Sequence, residues 1–364
     1  MNTMEFGIFE MFSASENEYY ADIKSMFEGH LDRGVLADEL GYDYYFPIEH
    51  QSSPGGQLAA SNVFLMALAE RTQQLRFGML IHQMPFHNPW MLAQEIAMVD
   101  TLSEGRMQVG IGSGIAEHEF TRLHVDFETK TQKTHEALEV MIKIWTEDVV
   151  THEGEFFQLT EAMPVPHPVQ KPHPPIWIGA HSPRSFDLAA KHNYNVAKNL
   201  EGDEACARKF EYFHEKLAEY DHPGPPPRTC LVRHVHVAET DEQARKEAER
   251  HLLAGFFTGG QALLGTKIGF GTRAMDEVRP GEDEGFAKSR GEIFEMTTKS
   301  YDYWIDHGLA IVGDPDTVGE KIESLRDTMG IDTFCGQHQF GKMSPKLVAK
   351  SMQIFAEDVM PKLR

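Results

Sequence analysis

The chain has 364 residues, 41% hydrophobic and 25% charged, a balance that fits a folded protein with a large core and excludes wholesale disorder. Its 56 acidic against 34 basic residues give a net charge of −22, which opposes phosphate backbones and anionic membrane surfaces, so neither nucleic acid nor a membrane is expected as a partner. Cys206, Cys230 and Cys335 lie far apart with no CxxC pair, and Met1 to Phe6 lacks a signal-peptide pattern, so the expectation is a cytoplasmic protein with reduced thiols.

Phe6 to Phe9 is a short apolar run that reads as a first buried strand, and Tyr20 to Leu40 follows with Ile23, Phe27, Leu31 and Leu36 at helical spacing. Gly41 closes that helix, and Tyr42 to Ile48 is an aromatic strand suited to cover on both faces. Pro47 takes the chain out of the sheet just as Glu49 and His50 arrive. A helix is expected over about 59–72, a third strand over Leu75 to His82, and a helix after Pro89 to Leu102. Met107 to Ile111 is a fourth strand running into Gly110-Ile111-Gly112-Ser113-Gly114, and Glu128 to Thr146 a long helix.

There the alternation breaks. Val149 to Leu159 reads as a β-hairpin about Glu153-Gly154-Glu155, and Pro164 to Pro175 is a proline-rich connection. Strands resume at Ile176 to Gly179, Asn195 to Leu200, Thr229 to Val237 and Thr333 to His338, with helices at 185–192, 203–219, 241–253, from about 317, and at the terminus from Ser344-Pro345 to Met360. Gly255 to Tyr303 has no steady period and reads as a loop-rich insertion. Eight strands, most followed by a helix, predict a single α/β domain over 1–364, a (β/α)8 TIM barrel with insertions at about 149–174 and 255–303, after strands four and seven.

In such a barrel the strand ends converge on one mouth. Those ends are Glu10, Glu49 and His50, His82 and Gln83, Gly112 to Gly114, His181 and Ser182, Asn199, His236, and His338 and Gln339. The set is rich in imidazole and poor in carboxylate. His234 and His236 share one strand face, which keeps a metal-dependent hydrolase open as an alternative. Gly179 to Ser185 is a strand-to-helix turn whose amides, hydroxyls and Arg184 suit an anion, although an ordinary N-cap explains the same residues. Gly110 to Gly114 is no dinucleotide fingerprint, since the third glycine of G-x-G-x-x-G would fall at Ile115, and a nicotinamide site is not supported.

Glu49-His50, Gly78 to Pro89 (GMLIHQMPFHNP), Leu102 to Arg106 (LSEGR) leading to Gly110 to Gly114, Pro175 to Ala180 with Ser182 to Ser185, and Gly313 to Val318, in that order, resemble the bacterial luciferase-like flavin monooxygenases. MPFHNP (Met84 to Pro89) and GEFFQ (Gly154 to Gln158) look most like the branch that includes diketocamphane and terpene monooxygenases. The resemblance implies a (β/α)8 barrel, FMN reduced by a separate flavin reductase, oxygen captured at flavin C4a, and a small ketone, aldehyde or terpene as substrate. It also implies His50 and Glu49 as active-site residues beside the flavin, Ser182 and Ser185 as phosphate-binding hydroxyls, and a non-prolyl cis peptide at Leu80 and Ile81 behind the ring. His82, Gly112, Ser113 and His181 complete the expected cofactor contacts, and a homodimer is expected. The luciferases themselves have cysteine and arginine where this chain has Gly112 and Ser113, which argues against light emission as its role. A deazaflavin-dependent dehydrogenase on the same barrel is the nearer alternative.

Overall fold

Short runs of aromatic and β-branched residues, each buried on both faces, can satisfy their backbone groups only by pairing side by side beneath a layer of helices. In the computed structural model, which describes residues 3–53, 56–255 and 299–364, they do so as a parallel barrel. Its strands are β1 (Glu5–Glu10), β2 (Tyr44–Pro47), β3 (Arg76–Phe77), β4 (His82–Gln83), β5 (Val109–Gly112), β8 (Ile176–Gly179), β9 (Asn195–Lys198), β10 (Thr229–Val237) and β12 (Thr333–Gln337). The neighbours run β3-β2-β1-β12-β10-β9-β8-β5-β4. β3 and β4 are two ends of one broken strand, so this order closes on itself and makes eight barrel strands, as the alternation predicts.

The helix layer comprises α1 (Ile23–Glu39), α2 (Ser61–Ala69), α3 (Pro89–Leu102), α4 (Glu117–Leu123), α5 (Lys130–Thr146), α6 (Pro183–His192), α7 (Asp203–Leu217), α8 (Asp241–Gly255), α9 (Tyr301–Asp306), α10 (Pro315–Met329), α11 (Pro345–Ile354) and α12 (Met360–Leu363). Asn88, Asp314 and Ser344 each cap a helix whose first turn begins with proline, the pattern that the sequence advertises. The lumen is a packed core, in which Tyr44 and Phe46 meet the indole of Trp177 at 5.6 and 5.5 Å and Cys230 and Cys335 lie with their sulfurs 3.5 Å apart. All three cysteines are free and buried, and no described helix is long and apolar enough to cross a membrane.

β11 (Ala310–Gly313), α4 and the short helix α9 lie outside the sequence reading. β11 pairs with the far half of β10, because that nine-residue strand runs on past β9 and β12 and leaves an open edge at His234 to Val237. The short helix α4 occupies the span between the Gly110 to Gly114 turn and α5. The hairpin is present as β6 (Val150–Glu153) and β7 (Gln158–Ala162), antiparallel. Its tip is fastened to α5 by Glu136, whose carboxylate accepts from the amides of Glu155 and Phe156 at 3.1 Å and Phe157 at 2.8 Å. Most of the predicted second insertion, 256–298, lies outside the described residues.

Candidate active site

The mouth is assembled from Glu49 and His50 beyond β2, Gln83 on β4, Gly112 and Ser113 at the end of β5, His181 and Ser182 beyond β8, and Lys198 and Asn199 at the end of β9. Glu49 and His50 are neighbours in sequence but serve different networks. Glu49, wholly buried, accepts from Ser61 Oγ at 2.7 Å, His87 Nε2 at 2.8 Å and Gln51 Nε2 at 3.2 Å. Burial disfavours its charge, yet the hydrogen bond and charge of His87 outweigh that and hold the carboxyl below its usual range. The same carboxylate raises His87 against the imidazole's own burial. The carboxylate and the imidazole each favour the other's charged form.

His50 Nδ1 stands 2.9 Å from Glu119 Oε1 on α4, and the same oxygen accepts from the amide of Gln51 at 3.1 Å. A carboxylate only accepts, so Nδ1 carries the proton and Nε2, without a protein partner among the described residues, is the nitrogen left to act. Gln83 Nε2 donates to the Glu49 carbonyl at 2.8 Å, which turns Gln83 Oε1 into a buried acceptor with no partner.

The broken third strand crosses the mouth through a cis peptide between Leu80 and Ile81, where the resemblance puts one. Leu80 joins the lumen core, while Ile81 is half-buried over the ends of β5 and β8. A Cβ on Gly112 would come 2.6 Å from Ile81 Cδ1, and one on Gly179 3.0 Å from Ile81 Cγ2, so the missing side chains let Ile81 lie across the opening. His82 does not face this opening. Its imidazole is buried against the helix layer, with Nε2 at 3.1 Å from Asn62 Oδ1 of α2 and Nδ1 at 3.2 Å from the Gly110 carbonyl, and burial pushes it down to about 4. Strand alternation explains the difference, because His82 and Gln83 point to opposite faces and Gln83 is the one beside His50.

At the α6 turn, Ser185 Oγ accepts from the amides of His181 and Ser182 at 3.2 and 3.1 Å and donates to the Ser182 carbonyl at 2.7 Å. The hydroxyls of Ser182 and Ser185 are 3.4 Å apart, and both side chains are half-buried, as is Ser113 across the mouth. Behind the turn, the buried ammonium of Lys198 has its three donors directed to the Asn199 carbonyl at 2.6 Å, His181 Nδ1 at 3.0 Å and Glu201 Oε1 at 3.2 Å. Burial, with Lys198 beside it, pushes His181 down to about 3, so this imidazole is neutral. Glu201 also holds Lys209 at 2.6 Å, and these three side chains leave one net positive charge behind the turn.

Of the other mouth candidates, Glu10 and His236 are engaged elsewhere. Glu10 belongs to a buried ion cluster with Arg33 and His30. His236 Nε2 bonds Glu247 at 2.8 Å, while His234 sits between the rings of Trp304 and Phe340 at 5.7 and 5.5 Å. Among the described residues no three His, Cys, Asp or Glu side chains gather as metal ligands, and the two imidazoles of β10 do not converge on a common point.

The family model described as luciferase-like monooxygenase matches residues 4–333. The chain belongs to this family. A relative 30% identical over 326 residues, 79% of this chain and 85% of its own length, is the oxygenase component of a flavin-dependent trigonelline monooxygenase from Acinetobacter baylyi. An uncharacterised protein of Sinorhizobium fredii, y4wF, is 34% identical over 197 residues, and there the chain spans only 56% of the relative's length and 53% of its own. Among solved structures, the oxygenating constituent of 3,6-diketocamphane monooxygenase from Pseudomonas putida, a type II Baeyer–Villiger monooxygenase in complex with FMN, superposes with a TM-score of 0.78. It covers 100% of this chain and 99% of its own at 22% identity. Within this luciferase-like barrel, sequence reasoning did not reach Glu119, His87, Lys198, Glu201 or Lys209. Glu119 and His87 lie on connections whose course is set by packing, and a lysine in a strand reads as solvated until its burial is known.

Proposed function

We propose that this luciferase-like monooxygenase is the FMN-dependent oxygenase component of a two-component system, taking reduced FMN from a separate flavin reductase and placing one oxygen atom in a small organic substrate. The observation that carries the reading is the mouth itself: a shelf of Ile81 over Gly112 and Gly179, with the unpartnered acceptor Gln83 Oε1 and the oriented imidazole of His50 at its edge. These features fit a flat heteroaromatic ring with polar edges, and the Ser182 to Ser185 turn, backed by net positive charge, fits its phosphate. FMN, when bound, supplies the reactivity toward oxygen.

The chain's own residues do the rest. Glu119 holds the His50 tautomer that offers Nε2 as an acceptor, so His50 takes a proton from, or returns one to, a group at the mouth. The packed lumen below Ile81 excludes water from beneath the shelf. Ser182 and Ser185 orient the phosphate end with the charge of Lys198 behind them, and Glu49 with His87 fixes the strand end from which His50 projects. A working homodimer is part of the proposal, to be checked by light scattering.

With FMN and NADPH alone, the purified chain should oxidise the nicotinamide no faster than the blank. With a flavin reductase it should consume oxygen, and it should bind reduced FMN in preference to reduced deazaflavin. Fast NADPH oxidation by the isolated chain, or tighter binding of the deazaflavin, would sink the proposal in favour of a self-sufficient or deazaflavin-dependent enzyme.

A further inference from the structure

Beside the mouth, between the segment after β4, the end of α4, the first turn of α5 and the tip of the hairpin, lies a cavity of about 470 Å³. That is the size of sites that take molecules of one or two rings. Its walls are mixed, with Phe86, Leu123, Val125 and Phe157 as the larger apolar side chains and Gln51, His87, Asn88 and Lys133 as the polar ones. In a chain with 56 acidic and 34 basic residues, none of the nine side chains lining this cavity is acidic.

Both basic side chains are held in place. His87 spends Nε2 on the buried carboxylate of Glu49 at 2.8 Å, which leaves Nδ1 for the cavity, since the ring makes no other hydrogen bond among the described residues. Lys133 gives one proton to the Pro85 carbonyl at 3.0 Å and forms no ion pair with any described carboxylate, so two donors remain. Phe157, its ring centroid 6.0 Å from the Lys133 ammonium, is fixed in place by Glu136 gripping the hairpin tip. The half-buried ammonium has no described counter-charge, and an anionic ligand would supply one.

From this juxtaposition we infer that the cavity is the substrate pocket and that its occupant is an organic carboxylate on a ring-sized apolar body, its acid group between Lys133 and His87. Calling the occupant a substrate rests on the monooxygenase reading; its binding does not. Gln51, which lines the cavity, directly follows His50, so the cavity adjoins the segment that carries the acid–base imidazole. The hairpin thereby sets specificity through Phe157.

Calorimetry on the full chain without flavin, using cyclohexanecarboxylate and cyclohexylmethanol as matched probes, tests the inference. The acid is expected to bind about tenfold or more tightly than the alcohol, since a charge-assisted hydrogen bond is worth at least that ratio. Lys133→Met should remove the preference and Lys133→Arg keep it, with FMN affinity equal in all three proteins, while Phe157→Ala should weaken both probes alike. Equal binding of the two probes, a preference that survives Lys133→Met, or no binding of either at millimolar concentration overturns the assignment. Failure of the monooxygenase reading shows separately, as absent oxygen uptake with reduced FMN whatever the probes do.

Discussion

His50 acquires its chemistry from Glu119, a residue 69 positions away in sequence. Without the carboxylate the imidazole would be free to turn and to exchange tautomers; with it, one nitrogen is fixed as acceptor. His50→Ala should fold and bind FMN nearly as the parent does, because a residue at the rim of the mouth contributes little core. Its turnover should drop by roughly 10²–10⁴ if the imidazole moves protons in the rate-limiting step. Glu119→Ala should lose less, roughly tenfold to a hundredfold, since the base is present but misoriented. Steady-state product formation under a constant supply of reduced FMN measures both. Turnover unchanged in His50→Ala would make it a bystander, and Gln83 the next residue to vary.

The turn at the start of α6 and the glycines of β5 show how whole elements shape the mouth. Ser182→Ala with Ser185→Ala removes two hydroxyls, each worth about 0.5–1.5 kcal/mol to a ligand and somewhat more toward a charged one, so FMN affinity should fall roughly tenfold. Riboflavin, which lacks the phosphate, should bind both proteins alike in a fluorescence titration; equal losses for the two flavins would mean that the turn is not the phosphate site. The glycines separate by what they face. A Cβ at Gly110 would collide with the backbone carbonyl of Met79, whereas at Gly112 it would meet the mobile tip of Ile81. Gly110→Ala should therefore cost about 3 kcal/mol or fail to fold, while Gly112→Ala folds with the shelf displaced and flavin binding weakened. Denaturant melts of the two variants decide it, and equal stabilities would contradict this account. A glycine in G-x-G-x-G reads from sequence as room for a ligand, and only the packed neighbours reveal that Gly110 makes room for a strand.

Across the whole molecule, burial keeps several histidines neutral. His30, His82 and His234 are pushed down to about 4 and His181 and His338 to about 3, burial being the largest cause in each. A histidine depressed in the fold and ordinary when unfolded makes the unfolded chain bind more protons below pH about 6.5, so stability falls as pH falls through the window from about 6.5 to 4. Glu16 opposes them: burial raises it to about 8, so the folded chain carries a proton there that the unfolded chain releases above its ordinary value. Near pH 5 these five histidines and Glu16 alone give a net uptake of about four protons on unfolding, or about 5 kcal/mol per pH unit there, enough to exhaust a stability of roughly 5–15 kcal/mol within two or three units. Acid unfolding followed by circular dichroism should be centred near pH 5, and a chain still folded at pH 4 would count against the neutral, buried state of these imidazoles.

Eight strands, their order and most of their helices were legible in the sequence because burial on both faces imposes apolar runs, and helix starts announce themselves as Asn88-Pro89, Asp314-Pro315 and Ser344-Pro345. The hairpin was legible by its turn, and the mouth by the rule that parallel strands deliver their ends to one face. β11 was not, since Ala310 to Gly313 runs straight into a helix start and becomes a strand only because β10 overshoots its neighbours. Which side chain of His82 and Gln83 faces the mouth depends on the phase in which a broken strand re-enters the sheet, and no residue type encodes that phase. The partners that tune the site, Glu119 for His50, His87 for Glu49 and Lys198 for His181, come from other elements or loops. Local sequence fixes periodicity and caps, which are short-range; the pairing of charges across the mouth, and hence their protonation, exists only once the barrel has closed.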